Sequence, residues 1–168
     1  MAFADFMARI VSPDLRCVAA HWNEARGSRR MPAWRDLRPA AIAPQLPLVW
    51  CYSYDATRDD FVGRLAGDVI ARIFGQGFKG VRMSALQTKI DVSFLTSRAR
   101  RVIGDPALFR SDGDVFHQPD RHGYGERIIM PLSDGGGAAD GVFGATHYQT
   151  SHQPRGGALI EDWFALTA

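Results

Sequence analysis

The chain has 168 residues, of which 46% are hydrophobic, and a formal net charge of +2. That much apolar material can bury a core, which excludes a disordered chain, and the near-neutral charge gives no nucleic-acid footprint. No run of about 18 apolar residues occurs, so no membrane span is expected.

The start, Met-Ala-Phe-Ala-Asp-Phe, lacks the basic opening and long apolar stretch of a secretory signal, so a cytoplasmic protein is expected. Arginine supplies nearly all the positive charge; the only lysines are Lys79 and Lys89. Cys17 and Cys51 are the only cysteines, and their spacing fits no metal motif and no disulfide framework. Reduced thiols are the expectation.

In chain order, Ser12-Pro13-Asp14 opens a helix: Ser as N-cap, Pro in the first turn, Asp near the positive end of the dipole. Leu15, Val18, Ala19, Trp22 and Ala25 share one face, and Gly27 ends the helix. Its apolar side must cover either its own sheet or a second copy of the chain. Residues 29–37 form a connector, with Pro32 and Pro39 opposing a continuous helix. Arg26, Arg29 and Arg30 read as a solvated surface near a helix end, with anion binding as the alternative.

Residues 48–54, rich in aromatic and β-favouring side chains, predict a strand. A polar turn at 55–60 leads to a second strand at 61–66, making an antiparallel hairpin. Gly67-Asp68 offers turn and N-cap chemistry, Val69, Ile70, Ile73 and Phe74 follow at helical spacing, and Gly75 is a stop. Met83 and Leu86 read as loop-borne core residues. Thr88 or Asp91 would cap a helix reaching about Ile103, with Val92, Leu95, Ala99, Val102 and Ile103 inward and Arg98, Arg100 and Arg101 outward. Gly104-Asp105-Pro106 breaks it.

Three more strands follow: 107–117, interrupted by the polar residues 111–114; 124–132, with Ile128, Met130 and Leu132 on one face; and 141–150. Between the last two, 133–140 with its triple glycine is a hairpin loop. The apolar stretch 158–166 reads as a docked tail. The organisation is a helix and connector (1–47), a core (48–150) and a tail (151–168). The fold class is α+β: an antiparallel sheet of about five strands with helices on one face, plus the N-terminal amphipathic helix. The helical insert between the second and third strands leaves room for a pocket.

Many weak motifs recur in one order: Trp22 before Arg29-Arg30-Met31-Pro32; Leu37, Pro39 and Ile42; Pro44 with Leu46-Pro47; Phe61, Arg64-Leu65 and Gly67; Phe74-Gly75; Gly80 and Leu86; and Glu126-Arg127 before Ile128-Ile129-Met130-Pro131-Leu132-Ser133. In these the chain resembles the PAS-like domains of the PAS_5 family, a group of short bacterial proteins frequent in alphaproteobacteria, over roughly residues 15 to 148. The resemblance implies a PAS fold with sheet order 2-1-5-4-3, a small-molecule cavity under the helices, and a sensory or interaction role, often as a dimer. It indicates no particular cofactor. The flavin-binding Asn-Cys-Arg-Phe-Leu-Gln of light sensors is missing, and residues 88–103 hold no histidine for a haem.

The chemistry-bearing residues are few. Arg64 and Arg127 are charges inside mostly apolar strands. Each suits bidentate binding of a carboxylate ligand or an ion pair with a neighbour such as Glu126 or Asp68. Alternation puts Arg127 opposite the Ile128/Met130 face. His117, His122 and His147 with Asp120 offer nitrogen and oxygen ligands to a divalent ion; solvated histidines at a hairpin tip are the plainer reading. Anion or nucleic-acid binding through Arg98, Arg100 and Arg101 is opposed by the near-neutral charge. No Ser-His-Asp order, Gly-x-Ser-x-Gly or paired carboxylates stand out.

The expected pocket wall is Leu65, Ile70, Phe74, Met83, Phe94, Phe116, Ile128, Met130 and Tyr148, with Arg64 as the polar group. The expected function is a non-catalytic sensory or regulatory domain that binds a small ligand between sheet and helices. It would signal by contact with a regulatory protein and dimerise through the N-terminal helix, with neither nucleic acid nor membrane as partner. The alternative is a metal-binding protein or enzyme built on His117, His122 and His147.

Overall fold

Every strand of this chain carries apolar side chains on both of its faces, and that property sets the architecture. The computed structural model describes residues 2–74, 77–86, 92–118, 121–135, 137–151 and 158–167. Its strands are β1 (Val49–Asp55), β2 (Asp60–Ala66), β3 (Ala107–Gln118), β4 (Arg121–Leu132), β5 (Gly141–Ser151) and β6 (Ile160–Ala165). They form one antiparallel sheet in the order β2-β1-β5-β4-β3-β6.

The expected order 2-1-5-4-3 lies inside this sheet, but the strand count is six and not five. The segment read as a docked tail contributes β6, which pairs along β3 with Leu108 opposite Phe164 and Phe109 opposite Trp163. Strand alternation explains it. Trp163 packs on Phe109, centroids 4.5 Å apart, and Phe164 packs on Phe6 at 5.7 Å. One aromatic goes to each side of the sheet, which an extended segment achieves and a helical turn does not.

The helices divide between the two sides. Helices α1 (Ala2–Arg9) and α2 (Pro13–Arg26) share a core with Val49, Cys51, Leu108, Ile128, Met130, Phe143 and Ala145. Helices α3 (Asp68–Phe74), α4 (Met83–Leu86) and α5 (Ser93–Gly104) share another with Trp50, Tyr52, Phe109, Ile129 and Val142. Successive residues of one strand fall in opposite cores, as in Val49, Trp50, Cys51, Tyr52 and again in Ile128, Ile129, Met130. The expectation of helices on one face is therefore corrected: both faces are covered, because both are apolar and exposing either would leave a large patch in water.

Helix α2 begins as its sequence dictates, with Ser12 Oγ accepting from the Leu15 N–H at 3.4 Å. Gly27, at φ 57°, ends it in a conformation that favours glycine. Leu15, Val18, Ala19 and Trp22 are fully buried, and the Trp22 indole N–H donates to the Pro131 carbonyl at 2.9 Å. The apolar side of α2 thus lies on its own sheet. Helix α1, which the short opening sequence did not announce, buries Phe6 completely. Two 3-10 segments, Trp34–Asp36 and Pro39–Leu48, carry the connector.

Two expectations about strands change. β3 runs through 111–114 without a break; it absorbs them with Gly113 at φ 142° and a register irregularity between Asp114 and Phe116. β2 bulges against β1: Cys51 pairs with Leu65 and Tyr52 with Gly63, so Arg64 is the extra residue. Met83 and Leu86 form a short helix and are buried as expected. The proposed caps Thr88 and Asp91 and the stop Gly75 lie outside the described residues. No described helix is long and apolar enough to cross a membrane.

Candidate functional site

The strongest departure from an ordinary core lies on the side of the sheet covered by α3–α5. β4 alternates there to present Ile129 and Arg127, and Arg127 is only 2% exposed. Its register partner on β5 is Thr146, also fully buried. Thr146 Oγ1 accepts from Arg127 Nε at 3.2 Å and from the Trp50 indole N–H at 3.0 Å. Trp50 reaches it by lying across Gly144, where any Cβ would collide with the indole. One hydroxyl therefore fixes both the guanidinium and the indole.

Tyr52 stands two residues along β1 from Trp50 on the same side. Its ring packs on Phe78 at 4.8 Å, on Trp50 at 6.0 Å and on Phe61 at 6.4 Å. The residue is 1% exposed, and its hydroxyl is buried with no hydrogen-bond partner among the described residues. Burial pushes the phenol pKa up; the Tyr148 phenol raises it further and the Arg127 guanidinium pulls it back. Tyr52 is thus a neutral donor in an apolar setting, on the same side of the sheet as Arg127. An unsatisfied buried hydroxyl costs about 1–3 kcal/mol and calls for an explanation.

The sequence-predicted wall does not assemble as one surface. Ile70, Phe74 and Met83 are buried in the α3–α5 core, and Phe94 and Tyr148 pack against it. Leu65, Ile128 and Met130 belong to the opposite core, beneath α1 and α2. Arg64 sits on the β2 bulge, its guanidinium 4.7 Å from the Trp34 ring centroid and 3.9 Å from an Asp134 oxygen, and about a third exposed. It makes an ion pair, with Asp134 in place of the partners expected. The backbone of Phe116 pairs with Gly123, but its side chain lies outside the described residues.

His117 and His122 face each other in the β3–β4 register; their side chains, and Asp120 entirely, lie outside the described residues. His147 is on β5 opposite Glu126. Among the described residues no group of three or more His, Cys, Asp and Glu is placed to hold a metal. The arginines weighed as anion binders are committed elsewhere: Arg98 to Glu161 at 2.5 Å, Arg100 to Asp59 at 2.5 Å, Arg101 over the Trp163 ring at 3.9 Å, and Arg29 to Asp36 at 2.7 Å.

The other side of β4 carries a second polar arrangement that sequence reasoning missed. Glu126 is buried and accepts from the Val11 N–H at 2.9 Å, the Ser12 N–H at 2.7 Å and Arg110 Nε at 2.7 Å. Arg110 also meets Asp112 at 2.9 Å and Asp162 at 3.4 Å, and Arg9 meets Asp162 at 3.1 Å. Burial opposes the Arg110 charge, but the Glu126 hydrogen bond and the three carboxylates outweigh it and raise its pKa. The turn between α1 and α2 is thereby tied to β4 one residue from Arg127. A signal was present: an acid inside an apolar strand, and free N–H groups at a helix start.

A family model for PAS_5, a PAS domain, matches residues 10–147. No curated protein and no solved structure matches the chain.

Proposed function

The chain belongs to the PAS_5 family of PAS domains, and from that premise we propose that it is a non-catalytic sensory or regulatory domain, binding a small ligand between its sheet and α3–α5 and signalling by protein contact. One observation carries this reading: the Tyr52 hydroxyl, buried on the α3–α5 side of the sheet without a hydrogen-bond partner among the described residues. Natural cores satisfy their polar atoms, and a ligand acceptor would satisfy this one.

The route of the signal follows from strand alternation. Arg127 faces the proposed ligand side, and Glu126, its neighbour in β4, holds the α1–α2 turn on the other. A small shift of β4 on binding would be felt at that turn and passed to a regulatory partner docked on the N-terminal helices. Dimerisation through these helices would use their outward sides, since the apolar side of α2 is already on the sheet.

Native mass spectrometry of the purified chain, before and after incubation with a small-molecule extract of its host cells, tests the reading. A discrete mass increment, accompanied by altered amide exchange in α1 and α2, is expected. A bare-chain mass under both conditions would refute ligand binding; an increment with no exchange change in α1 and α2 would refute the route.

A further inference from the structure

A cavity of about 330 Å³ lies between the connector and the turn that follows β4, lined by Arg29, Arg30, Arg35, Ser133 and Asp134. None of these residues belongs to the α3–α5 core. Backbone hydrogen bonds hold its two walls together. The Ser133 N–H donates to the Pro32 carbonyl at 3.0 Å, and the Trp34 N–H donates to Asp134 at 3.2 Å. Arg30 Nε donates to the Leu166 carbonyl at 2.7 Å, which orients that guanidinium and leaves its terminal nitrogens without an acceptor among the described residues.

The charges around this cavity do not balance. Arg29 is taken by Asp36 at 2.7 Å, and Asp134 has Arg64 at 3.9 Å. Arg30 and Arg35 meet no carboxylate within ion-pair distance among the described residues, so two positive charges are left over. Ser133 gives an independent sign. It is 3% exposed, and its hydroxyl is buried with no hydrogen-bond partner among the described residues. A buried hydroxyl in that state calls for an acceptor. The matching group accepts hydrogen bonds and carries about two negative charges. A phosphate does both, with about −1.5 to −2 at pH 7 and three strong acceptor oxygens, and guanidinium forks suit its geometry. A carboxylate would cancel only one of the two charges.

We propose that this cavity binds a phosphate group, free or as the monoester of a small molecule, with Arg30 and Arg35 on its oxygens and the Ser133 hydroxyl donating to one of them. Met31 and Ala33, also in the wall, would lie against the body of an ester. This site is separate from the ligand side proposed under α3–α5, and neither reading depends on the other.

Calorimetric titration of the full chain with inorganic phosphate, glycerol 3-phosphate and, as the uncharged control, glycerol tests it. Both phosphates are expected to bind at about 1 mM or tighter, and glycerol not at all. Arg35 is exposed and makes no contact that the fold needs. Arg35→Gln should therefore keep the melting temperature and weaken both phosphates about 5-fold or more. Arg35→Lys should recover part of that loss, since it restores the charge without the fork. Ser133→Ala removes only an unsatisfied hydroxyl, so the unliganded variant should melt at the same temperature or higher and bind about 10-fold more weakly. Arg58→Gln, which removes an exposed charge from the β1–β2 turn, should change nothing. Tighter binding of glycerol 3-phosphate than of inorganic phosphate would mark an ester as the ligand, and the reverse order the free ion. Failure of both phosphates to bind the folded chain would overturn the assignment. So would binding that Arg35→Gln and Ser133→Ala leave unchanged, or that Arg58→Gln weakens equally.

Discussion

Glu126 is the residue whose removal most directly tests how the N-terminal helices are held. Glu126→Ala strips the acceptor from two backbone N–H groups at the α1–α2 turn and from Arg110 Nε. Arg110 is only 5% exposed at its side chain. Breaking a buried ion pair costs about 3–5 kcal/mol, but Arg110 would keep Asp112 and Asp162, and Val11 is well exposed, so water can reach its freed N–H. The expected loss is about 2–4 kcal/mol. Glu126→Gln keeps the shape and one acceptor oxygen but turns an NH2 toward existing donors, so about 1–2 kcal/mol is expected. Urea unfolding measures the loss, and amide exchange at Val11 and Ser12 locates it. A double-mutant cycle with Arg110→Met should show coupling of about 1–3 kcal/mol. A loss under about 0.5 kcal/mol for Glu126→Ala, with Val11 and Ser12 exchange unchanged, would refute the argument that this carboxylate ties the helices to the sheet.

Three further perturbations probe other parts of the reasoning. Gly144→Ala forces a Cβ into the Trp50 indole; the expected destabilisation is about 1–3 kcal/mol with a shift in tryptophan fluorescence, and an unchanged spectrum and midpoint would contradict the packing described. Trp163→Ala removes the half-buried ring that joins β6 to Phe109 and lies under Arg101; about 2–3 kcal/mol should be lost, and an unaltered urea midpoint would argue against β6 as part of the sheet. His21 is buried and its Nε2 accepts from the Arg38 N–H at 3.0 Å; burial lowers its pKa below 6.5, Glu24 opposes that and Arg38 adds to it. Its unfolded form therefore binds a proton at higher pH than its folded form. The stability from neutral His21 is fully present above about 6.5 and is lost as pH falls toward the folded value. Relative to His21→Gln, wild type should lose stability on acidification from pH 8 through 6; parallel pH profiles would remove the inference.

Most of the elements and much of their order are legible in the sequence. Ser12-Pro13-Asp14 specified the start of α2, the β1–β2 hairpin followed from aromatic and β-branched runs around a polar turn, and α5 from its spacing of Leu95, Ala99 and Val102. These are local signals, carried by contacts a few residues apart. Alternation also placed Arg127 opposite Ile128 and Met130 correctly.

What alternation does not contain is which side of the sheet each helix set will cover. Ile128 and Ile129 are equally apolar neighbours, so Ile128, Met130 and Leu65 read as pocket residues until α1 and α2 proved to lie over them. The same ambiguity put Arg64 forward as the ligand-side arginine. The β2 bulge, a property of the β1 register, turned it toward Trp34 and Asp134, while Arg127 is a buried arginine on the α3–α5 side. β6 was legible as an apolar tail but not as a strand, because its pairing partner β3 lies some fifty residues upstream and only the assembled sheet offers that edge. Local chemistry thus decided what most segments are; contacts between distant segments made β6 a strand and decided which side each side chain faces, and therefore which polar groups share a site.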